Sequence, residues 1–516
     1  MDNRFYFGFN TSEERKKRRK AELYSMSEQV STFFWDEAPQ HGLEMREGQQ
    51  DMSFEIVDAL INDQHFAIEA GVGIGKSFGY LVPVLLYSKR MNKPVIIATS
   101  TIALQEQLWR DVHAVMPLLG LNRDVILAKG QTHYLCNKRA DEYMCDPKAD
   151  PPDALKEGIQ QGYEERKDFP EVLPQGVWDK VNVQRFSMKN CGSCEKKCKY
   201  YKVRAALKFT DGVVLCNQDF LTQHLMKLRR GQEGLINAAA DLLVVDEAHN
   251  LDDKVRSATT ERFGQGMLFG MIKSAFYELR SFDQSSVSGE KREAESAIIA
   301  FYNCLKAQVQ KQINEAEQDM RYADRFFFDN NGSAIELLTE MNAAIHNLSS
   351  SIQIYSSMDF RNNRSFAASD DLDAVSESLS ELLDQIDDML IWIEQHGSNT
   401  ELVYCPKNTK EIVSRLYFNG DERTILTSAT LTNATSGSLE EQYSYFISNT
   451  GFPAGDRGCL SEPKPSPYPY DEHAMIYYCD DLPHPTREHE AFIEKGVERL
   501  LEILNISNGK ALVLFT

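Results

Sequence analysis

Long hydrophobic runs are missing from this sequence of 516 residues. No apolar stretch approaches the roughly 18 residues that a membrane-spanning helix needs, and the N-terminal stretch MDNRFYFGFNTSEERKKRRK has no apolar core of the kind found in secretory signal peptides. These absences favour the cytosol, or the nucleus if the source is eukaryotic, and we expect a cytoplasmic location. Without a secretory route, the ten cysteines are not expected to form a disulfide framework.

Positive charge is also scarce, with 56 Lys and Arg against 77 Asp and Glu and a net charge of −21. This deficit argues at first sight against nucleic acid, whose binding needs cations. The acidity is uneven, however: Ser369–Gln395 carries many carboxylates and no Lys or Arg, whereas Arg15–Lys20 and Lys189–Arg204 are basic. Because net charge governs solubility and long-range steering, it does not exclude a local basic track.

Short apolar strands alternate with helical segments from Phe66 to about Asn250, and the rhythm resumes at Arg423–Leu431. Such alternation predicts an α/β fold with a parallel sheet covered by helices on both faces. The predicted strands are FAIEA, PVIIATS, DVILAKG, GVVLCN, DLLVVDEAH and RTILTSATL, and further strands are expected in AMIYYCDDLPHP and KALVLFT.

Two insertions interrupt this rhythm. Between about Asn137 and Lys208, proline, glycine, charge and cysteine dominate, which predicts a small inserted domain. From about Asp252 to Gly397 the pattern becomes purely helical, with apolar residues at alternating steps of three and four. The positions that carry this periodicity are Ile298, Tyr302, Leu305, Val309 and Ile313, and later Leu379, Leu382, Ile386, Met389 and Ile393.

A glycine-rich turn joins the first predicted strand to a helix. It reads Ala70, Gly71, Val72, Gly73, Ile74, Gly75, Lys76, Ser77. Backbone N–H groups in such a turn converge on a phosphate at the helix N-terminus. Lys76 is expected to reach the β- and γ-phosphates, and the Ser77 hydroxyl to ligate Mg²⁺.

A second motif follows the strand Leu242–Val245 and reads Asp246, Glu247, Ala248, His249. Asp246 is expected to hold Mg²⁺ through water, and Glu247 to polarise the attacking water as general base. An acidic pair at a helix N-terminus is the plainer alternative. Two motifs in this order, both at strand ends, favour a Mg²⁺–nucleoside triphosphate site.

Taken together, these motifs resemble those of superfamily 2 helicases. ATSTIALQEQL (Ala98–Leu108) is similar to motif Ia, which contacts the nucleic-acid backbone, and this implies Thr101 and Gln105 as DNA contacts. LTSATL is similar to motif III, so that Ser428 and Thr430, with His249, would couple hydrolysis to strand movement. REGQQDM resembles the Q-motif, which implies that Gln49, with Arg46 nearby, reads the adenine. KALVLFT resembles motif IV.

Four cysteines fall in the first insertion: Cys136, Cys191, Cys194 and Cys198. Their spacing suits tetrahedral Zn²⁺ or a [4Fe–4S] cluster, and buried free thiols are a third possibility. Their position between motifs Ia and II resembles the DinG/XPD-like helicases, which implies a [4Fe–4S] cluster and makes the helical insertion the arch domain. Cys145 is an alternative to Cys136, and Cys216 is expected to be a core cysteine.

The resemblance implies an ATP- and Mg²⁺-dependent DNA helicase, of the bacterial DinG branch, that moves 5′ to 3′ on single-stranded DNA and acts at duplex junctions in repair or replication. We expect a monomer, with single-strand-binding or repair proteins as possible partners. A track for single strands combines cations with stacking aromatics. The DNA-contact candidates with that composition are Lys196, Lys197, Tyr200, Tyr201 and Arg204, although a solvated helix face would look the same.

Five domains follow from these patterns. They are a leader (1–45), a first RecA-like motor domain (46–130, 209–252 and 398–460), an iron–sulfur domain (131–208), an all-α arch (253–397) and the beginning of a second RecA-like domain (461–516).

The sequence stops within the motif IV-like segment, before motifs V and VI. Those motifs carry arginine fingers that raise the rate of phosphoryl transfer, so we expect this chain to bind ATP weakly and to hydrolyse it poorly alone. The alternatives are a DNA-binding or regulatory fragment without turnover, or an ATPase that remodels RNA or protein.

Overall fold

The computed structural model describes residues 12–44, 46–184, 198–279, 284–316, 324–358, 367–397, 399–473, 475, 477–485 and 487–514. The chain divides into two units, Met1–Pro465 and Ser466–Thr516.

Eleven strands occur in the described residues. They are β1 (His65–Glu69), β2 (Val95–Thr99), β3 (Val125–Leu127), β4 (Val213–Asn217), β5 (Leu242–Asp246), β6 (Glu261–Gly264), β7 (Arg325–Phe327), β8 (Met389–His396), β9 (Asn399–Pro406), β10 (Arg423–Ser428) and β11 (Gly458–Leu460).

Twenty α-helices occur in the same residues. They are α1 (Ser12–Thr32), α2 (Ala38–Gln40), α3 (Glu47–Ile61), α4 (Lys76–Met91), α5 (Ile102–Leu118), α6 (Asn137–Cys145), α7 (Asp153–Gln160), α8 (Gln175–Val181), α9 (Lys199–Phe209), α10 (Gln218–Arg229), α11 (Leu251–Ala258), α12 (Gln265–Glu278), α13 (Ser288–Glu315), α14 (Gly332–Met358), α15 (Ala367–Asp384), α16 (Lys410–Tyr417), α17 (Leu439–Gln442), α18 (Ser444–Thr450), α19 (Tyr470–His473) and α20 (His489–Ile506).

A seven-stranded sheet forms the centre of the first unit, in the order β11-β1-β10-β5-β2-β4-β3, and every pairing in it is parallel. Its central strands are continuous apolar runs because helices cover both faces, and β2 is buried along its whole length. The predicted α/β fold with a parallel sheet is therefore confirmed. All carboxyl ends of these strands meet at one edge, where the nucleotide motifs lie.

The leader contributes to the same core. On α1, Leu23, Met26 and Val30 recur at steps of three and four and are fully buried, where they join the core that contains residues of α3 and α4. Arg19 donates to Asp63 Oδ1 (3.1 Å) and to the Tyr87 hydroxyl (3.2 Å). The helix is thus anchored to the motor by apolar and polar contacts.

The prediction of a purely helical second insertion was wrong. Helices α12 to α15 are present, but they pack on a four-stranded antiparallel sheet in the order β6-β9-β8-β7. The predicted helical periodicity ends at Asp384, and Met389 and Ile393 lie on strand β8 instead. A spacing of four residues places two side chains on one face of either a helix or a strand. The segment forms a strand because it pairs with β9 along its whole length.

The cysteine-containing insertion contains α6 to α9. Helices α6, α7 and α8 pack around a small core that includes Leu135, Leu155, Phe169 and Trp178. Residues 185–197 lie outside the described residues.

The second unit contains α19 and α20. The expected strands in AMIYYCDDLPHP and KALVLFT do not form over the described residues of those stretches. No helix in the described parts of the chain is long and apolar enough to cross a bilayer.

Candidate active site

The glycine-rich turn Ala70–Ser77, called the phosphate loop below, connects β1 to α4 at the carboxyl edge of the parallel sheet. Gly73 and Gly75 have φ of +92° and +88°, which side chains other than glycine rarely adopt. A Cβ added to Gly75 would lie only 2.6 Å from Gln49 Nε2. The positive φ therefore favours glycine at position 75, where the Gln49 side chain also packs closely, and α4 begins at Lys76.

Helix α3 brings Gln49 against this loop. Its Nε2 donates to the Gly75 carbonyl oxygen (3.0 Å), while its Oε1 is buried and has no hydrogen-bond partner among the described residues. Ser53 donates to the Gly79 carbonyl oxygen (2.6 Å) and fixes α3 on α4. Arg46 lies immediately before α3, half exposed, 3.7 Å from Glu44.

The acidic motif faces the loop from the end of β5, which is separated from β1 by β10 in the sheet. Lys76 Nζ donates to Glu247 Oε1 (3.0 Å). Asp246 accepts from the Tyr80 hydroxyl (3.4 Å) and, through Oδ1, from the Glu247 backbone N–H (3.0 Å). Glu247 has φ of +56°, an uncommon backbone conformation that directs its side chain to Lys76.

The two carboxyl groups differ in acidity. Burial raises the pKa of Asp246 to about 6, and the charge on Lys76 only partly offsets this effect. Burial also opposes the ionisation of Glu247, but the charge and hydrogen bond of Lys76 and the hydrogen bond from Ser428 hold its pKa below the ordinary value. Glu247 is thus the readily ionised group. A buried carboxyl group such as Asp246 suits a divalent cation.

The motif III residues complete this arrangement. Ser428, at the end of β10, donates to Glu247 Oε2 (3.1 Å), and His249 Nδ1 lies 2.7 Å from the Ser428 hydroxyl and 3.3 Å from Glu247 Oε2. The Thr430 backbone N–H also donates to the Ser428 hydroxyl (3.4 Å). The structure therefore brings together the residues predicted for catalysis and coupling.

Two acids at this site were not predicted from the sequence. Glu69 Oε2 accepts from the backbone N–H groups of Leu431 and Thr432 (both 2.6 Å) and from the Thr432 hydroxyl (2.8 Å), so it fastens the turn after motif III to the start of the phosphate loop. Asp111, on α5, accepts a hydrogen bond from Ser77, and burial raises its pKa. An acid at the end of a buried strand was the available signal for Glu69.

Two of the predicted DNA contacts are contradicted. Gln105 is fully buried and donates to the carbonyl oxygens of Ala128 (2.7 Å) and Leu215 (2.9 Å), so motif Ia uses it to hold α5 on the sheet. Tyr200 is also buried, with its ring 5.2 Å from that of Tyr134. Each lies on the inner face of its helix, which the sequence spacing did not show.

The other predicted DNA contacts differ in their exposure and in their hydrogen-bond partners. Thr101 is exposed and caps α5 by accepting from Leu104 N–H (3.2 Å). Tyr201 is half-buried, and Arg204 donates to the Leu235 carbonyl oxygen (2.8 Å). Lys196 and Lys197 lie outside the described residues.

Beside α5, a cavity of about 880 Å³ opens between that helix, β3 and α9. Its lining includes Trp109, Lys167, Lys199 and Lys202. Glu106 and Glu165 also line it and pair with Lys167 and Lys199. A half-exposed aromatic ring and several lysines share this wall, a composition that suits a nucleic-acid strand.

Two of the predicted cluster ligands are described. Cys136, just before α6, and Cys198, just before α9, pack against the same small core of Tyr134, Val183 and Tyr200. Cys191 and Cys194 lie outside the described residues, and among the described ones no three His, Cys, Asp or Glu side chains form a metal-binding group. Cys216 is buried in β4, as predicted for a core cysteine.

Comparisons with known proteins agree with this geometry. The DEAD_2 family matches residues 132–266. The probable ATP-dependent helicase YpvA of Bacillus subtilis is 24% identical, over 94% of this chain and 74% of its own length. The chain is thus similar to bacterial ATP-dependent helicases of the DinG type.

Other relatives match over shorter parts of their own length. The protein named 3'-5' exonuclease DinG of B. subtilis is 25% identical, over 92% of this chain and 54% of its own length. The ATP-dependent DNA helicase YoaA of Escherichia coli is 30% identical, over 44% of this chain and 36% of its own length. The chain thus spans between about a third and three quarters of these relatives. Among solved structures, S. tokodaii Xpd4 matches with a TM-score of 0.42 and 15% identity, over 89% of this chain and 69% of the other.

Proposed function

We propose that this chain provides the nucleotide-hydrolysing part of an ATP-dependent DNA helicase. The observation that carries the proposal is the contact of Lys76 with Glu247 at the carboxyl edge of the sheet, at 3.0 Å, with Ser428 on the other carboxylate oxygen. The names of the bacterial relatives, ATP-dependent helicases among them, support this function and a cytoplasmic location.

Hydrolysis would proceed by positioning and charge stabilisation. ATP phosphates would bind the loop N–H groups and compete with Glu247 for the ammonium of Lys76. Glu247, which ionises readily, would then be free to orient and deprotonate the attacking water. Ser77 and Asp246 would hold Mg²⁺, which neutralises charge on the phosphates when it is bound. The buried Oε1 of Gln49 is an acceptor suited to the adenine amino group.

Movement of a DNA strand would be coupled through Ser428. Its hydroxyl contacts both Glu247 and His249. Loss of the γ-phosphate at Glu247 would therefore change the contacts of Ser428 in motif III. For the track itself we propose the cavity that contains Trp109, Lys199 and Lys202, with Thr101 at the end of α5.

Polarity and substrate belong to this proposal as well. We expect 5′ to 3′ movement, action at junctions of single-stranded and duplex DNA in repair or replication, and a monomer that works with single-strand-binding or repair proteins. The test is unwinding of matched duplexes with either a 5′ or a 3′ single-stranded tail. Because this chain is expected to hydrolyse ATP poorly alone, unwinding is measured with a protein that also carries motifs V and VI. Unwinding of the 5′-tailed duplex, lost in Glu247→Gln, is expected; equal action on RNA duplexes or no dependence on a tail would overturn the assignment.

The four thiolates of Cys136, Cys191, Cys194 and Cys198 are proposed to hold a [4Fe–4S] cluster, with a structural role between α6 and α9. The convergence of Cys136 and Cys198 on one small core supports this ligand set. Iron and sulfide analysis after anaerobic purification tests it. Cys136→Ser should lose the iron, whereas Cys145→Ser, at an exposed position on α6, should retain it. Zinc in place of iron would contradict the cluster.

A further inference from the structure

The segment that ends the first unit runs beside the phosphate loop. Strand β11 pairs with β1 as far as Leu460 opposite Ala67, and the next paired position is Lys464 opposite Ala70. Leu460 and Lys464 are four residues apart, whereas their partners Ala67 and Ala70 are three residues apart. The segment after β11 therefore contains one extra residue, as in a β-bulge. After this bulge, Lys464 N–H donates to the Glu69 carbonyl oxygen (2.8 Å), and Gly71 N–H donates to the Lys464 carbonyl oxygen (2.9 Å).

The side chain of Lys464 turns toward α3. Its Nζ lies 2.7 Å from Glu55 Oε1 and 3.7 Å from Asp51 Oδ2, and only 14% of the side chain is exposed. The packing is close as well, since a Cβ added to Gly48 would lie 3.5 Å from both Lys464 Cβ and Ile74 Cγ2. One residue thus contacts the helix that carries Gln49 and the first glycine of the loop.

We propose that Lys464 is a positioning residue for nucleotide binding, which ties the phosphate loop to α3 at the last residues of the first unit. Its main chain holds Gly71 in place, and its ammonium holds α3. Because α3 sets Gln49 against the Gly75 carbonyl oxygen, both the adenine side and the phosphate side of the site depend on this contact. The inference rests on the proposed nucleotide site.

Substitution of Lys464 should lower the affinity for nucleotide and leave the rate of hydrolysis of the bound nucleotide nearly unchanged. Lys464 lies at the side of the loop that faces α3, whereas Lys76, Asp246 and Glu247 are held by contacts with one another. Loss of the ammonium should therefore weaken nucleotide binding and raise KM, with kcat nearly unchanged. A purely structural ion pair would instead lower the unfolding temperature with no specific change in KM.

The experiment measures binding of a fluorescent ATP analogue to the full chain, with thermal unfolding recorded in parallel. Lys464→Met should weaken binding by about tenfold, in the range usual for coupled sites, and Lys464→Arg should restore most of it. Lys156→Met is the matched control, because that lysine also pairs with an acid (Asp153, 2.8 Å) but at an exposed site on α7. A charge exchange, Lys464→Glu with Glu55→Lys, should recover part of the affinity.

Two failures are distinguishable. If the unaltered chain binds no nucleotide and Lys76→Met changes nothing, the proposed function itself fails. If the unaltered chain binds nucleotide and Lys464→Met binds it as well as Lys156→Met does, only the role of Lys464 is overturned. The positioning role of Lys464 is also contradicted if Lys464→Met lowers both the nucleotide affinity and the unfolding temperature and Lys464→Arg restores neither.

Discussion

At the scale of single residues, Glu247 has the most contacts with the other motif residues. It is held at one oxygen by Lys76 and at the other by Ser428, with His249 3.3 Å away. These partners outweigh the burial of the carboxyl group and lower its pKa. Glu247 is thus ionised at neutral pH, as a general base must be, while Asp246 beside it has a raised pKa.

Ser428→Ala should therefore move the acid limb of the pH–rate profile for ATP hydrolysis to higher pH. The change removes a hydrogen bond that lowers the pKa of Glu247, and a bond to a charged group is worth enough to reduce turnover by about tenfold. Nucleotide affinity should change little. Ser438→Ala, which removes a serine hydroxyl at the surface cap of α17, is the control. An unshifted acid limb in Ser428→Ala would contradict the role given to this hydroxyl.

Two buried histidines should make the fold sensitive to acid. Burial lowers the pKa of both His65 and His224 from 6.5 to about 4. Each is neutral in the folded protein and binds a proton more readily when unfolded, so stability is full above pH about 6.5 and falls as the pH drops toward 4. At pH 5 the loss should be about 2 kcal/mol for each histidine.

Urea unfolding at pH 7 and pH 5 measures this loss. His224 accepts from the backbone N–H groups of Leu235 (3.0 Å) and Ile236 (3.2 Å), and protonation of that nitrogen would break both bonds. Equal stability at the two pH values would show that the histidines do not titrate as described.

At the scale of elements, the second insertion shows where side-chain spacing is ambiguous. Ile393 is fully buried on β8, whereas Leu390, three residues earlier, is 45% exposed. On a strand an odd separation places these side chains on opposite faces. On a continuous helix the two side chains would share one face.

Ile393→Ala should thus lower the free energy of unfolding by about 2–4 kcal/mol, as expected when a large buried side chain is truncated. Leu390→Ala should change it by less than about 0.5 kcal/mol. Urea unfolding of the two variants measures both. Equal losses would favour the helical alternative that the sequence periodicity suggested.

The sequence predicted those parts of the fold whose signals are local. The strands next to the phosphate loop and the acidic motif were found because apolar runs end there in Gly71–Ser77 and Asp246–His249. Strands β8 and β9 were missed because their pairing is fixed by contacts across a hairpin and not by periodicity. Glu69 was missed for a similar reason, since its partners lie more than 360 residues away in sequence.

At the scale of the whole molecule, the proposed nucleotide site is assembled from residues that lie far apart along the chain. Residues near positions 49, 76, 247, 428 and 464 meet at the carboxyl edge of a single parallel sheet. The first insertion lies between β3 and β4 along the chain and the second between β5 and β10, so neither interrupts a strand of this sheet. The net charge of −21 also coexists with a lysine-lined cavity beside motif Ia.

The decisive measurement is the release of phosphate from ATP, with and without single-stranded DNA. It compares the unaltered chain with the variants Glu247→Gln and Lys76→Met. The unaltered chain should release phosphate slowly by itself and faster when single-stranded DNA is present. Glu247→Gln should still bind ATP but lose turnover, and Lys76→Met should lose binding as well. Phosphate release by Glu247→Gln at the rate of the unaltered chain would contradict the account, because it would remove the proposed general base from the reaction.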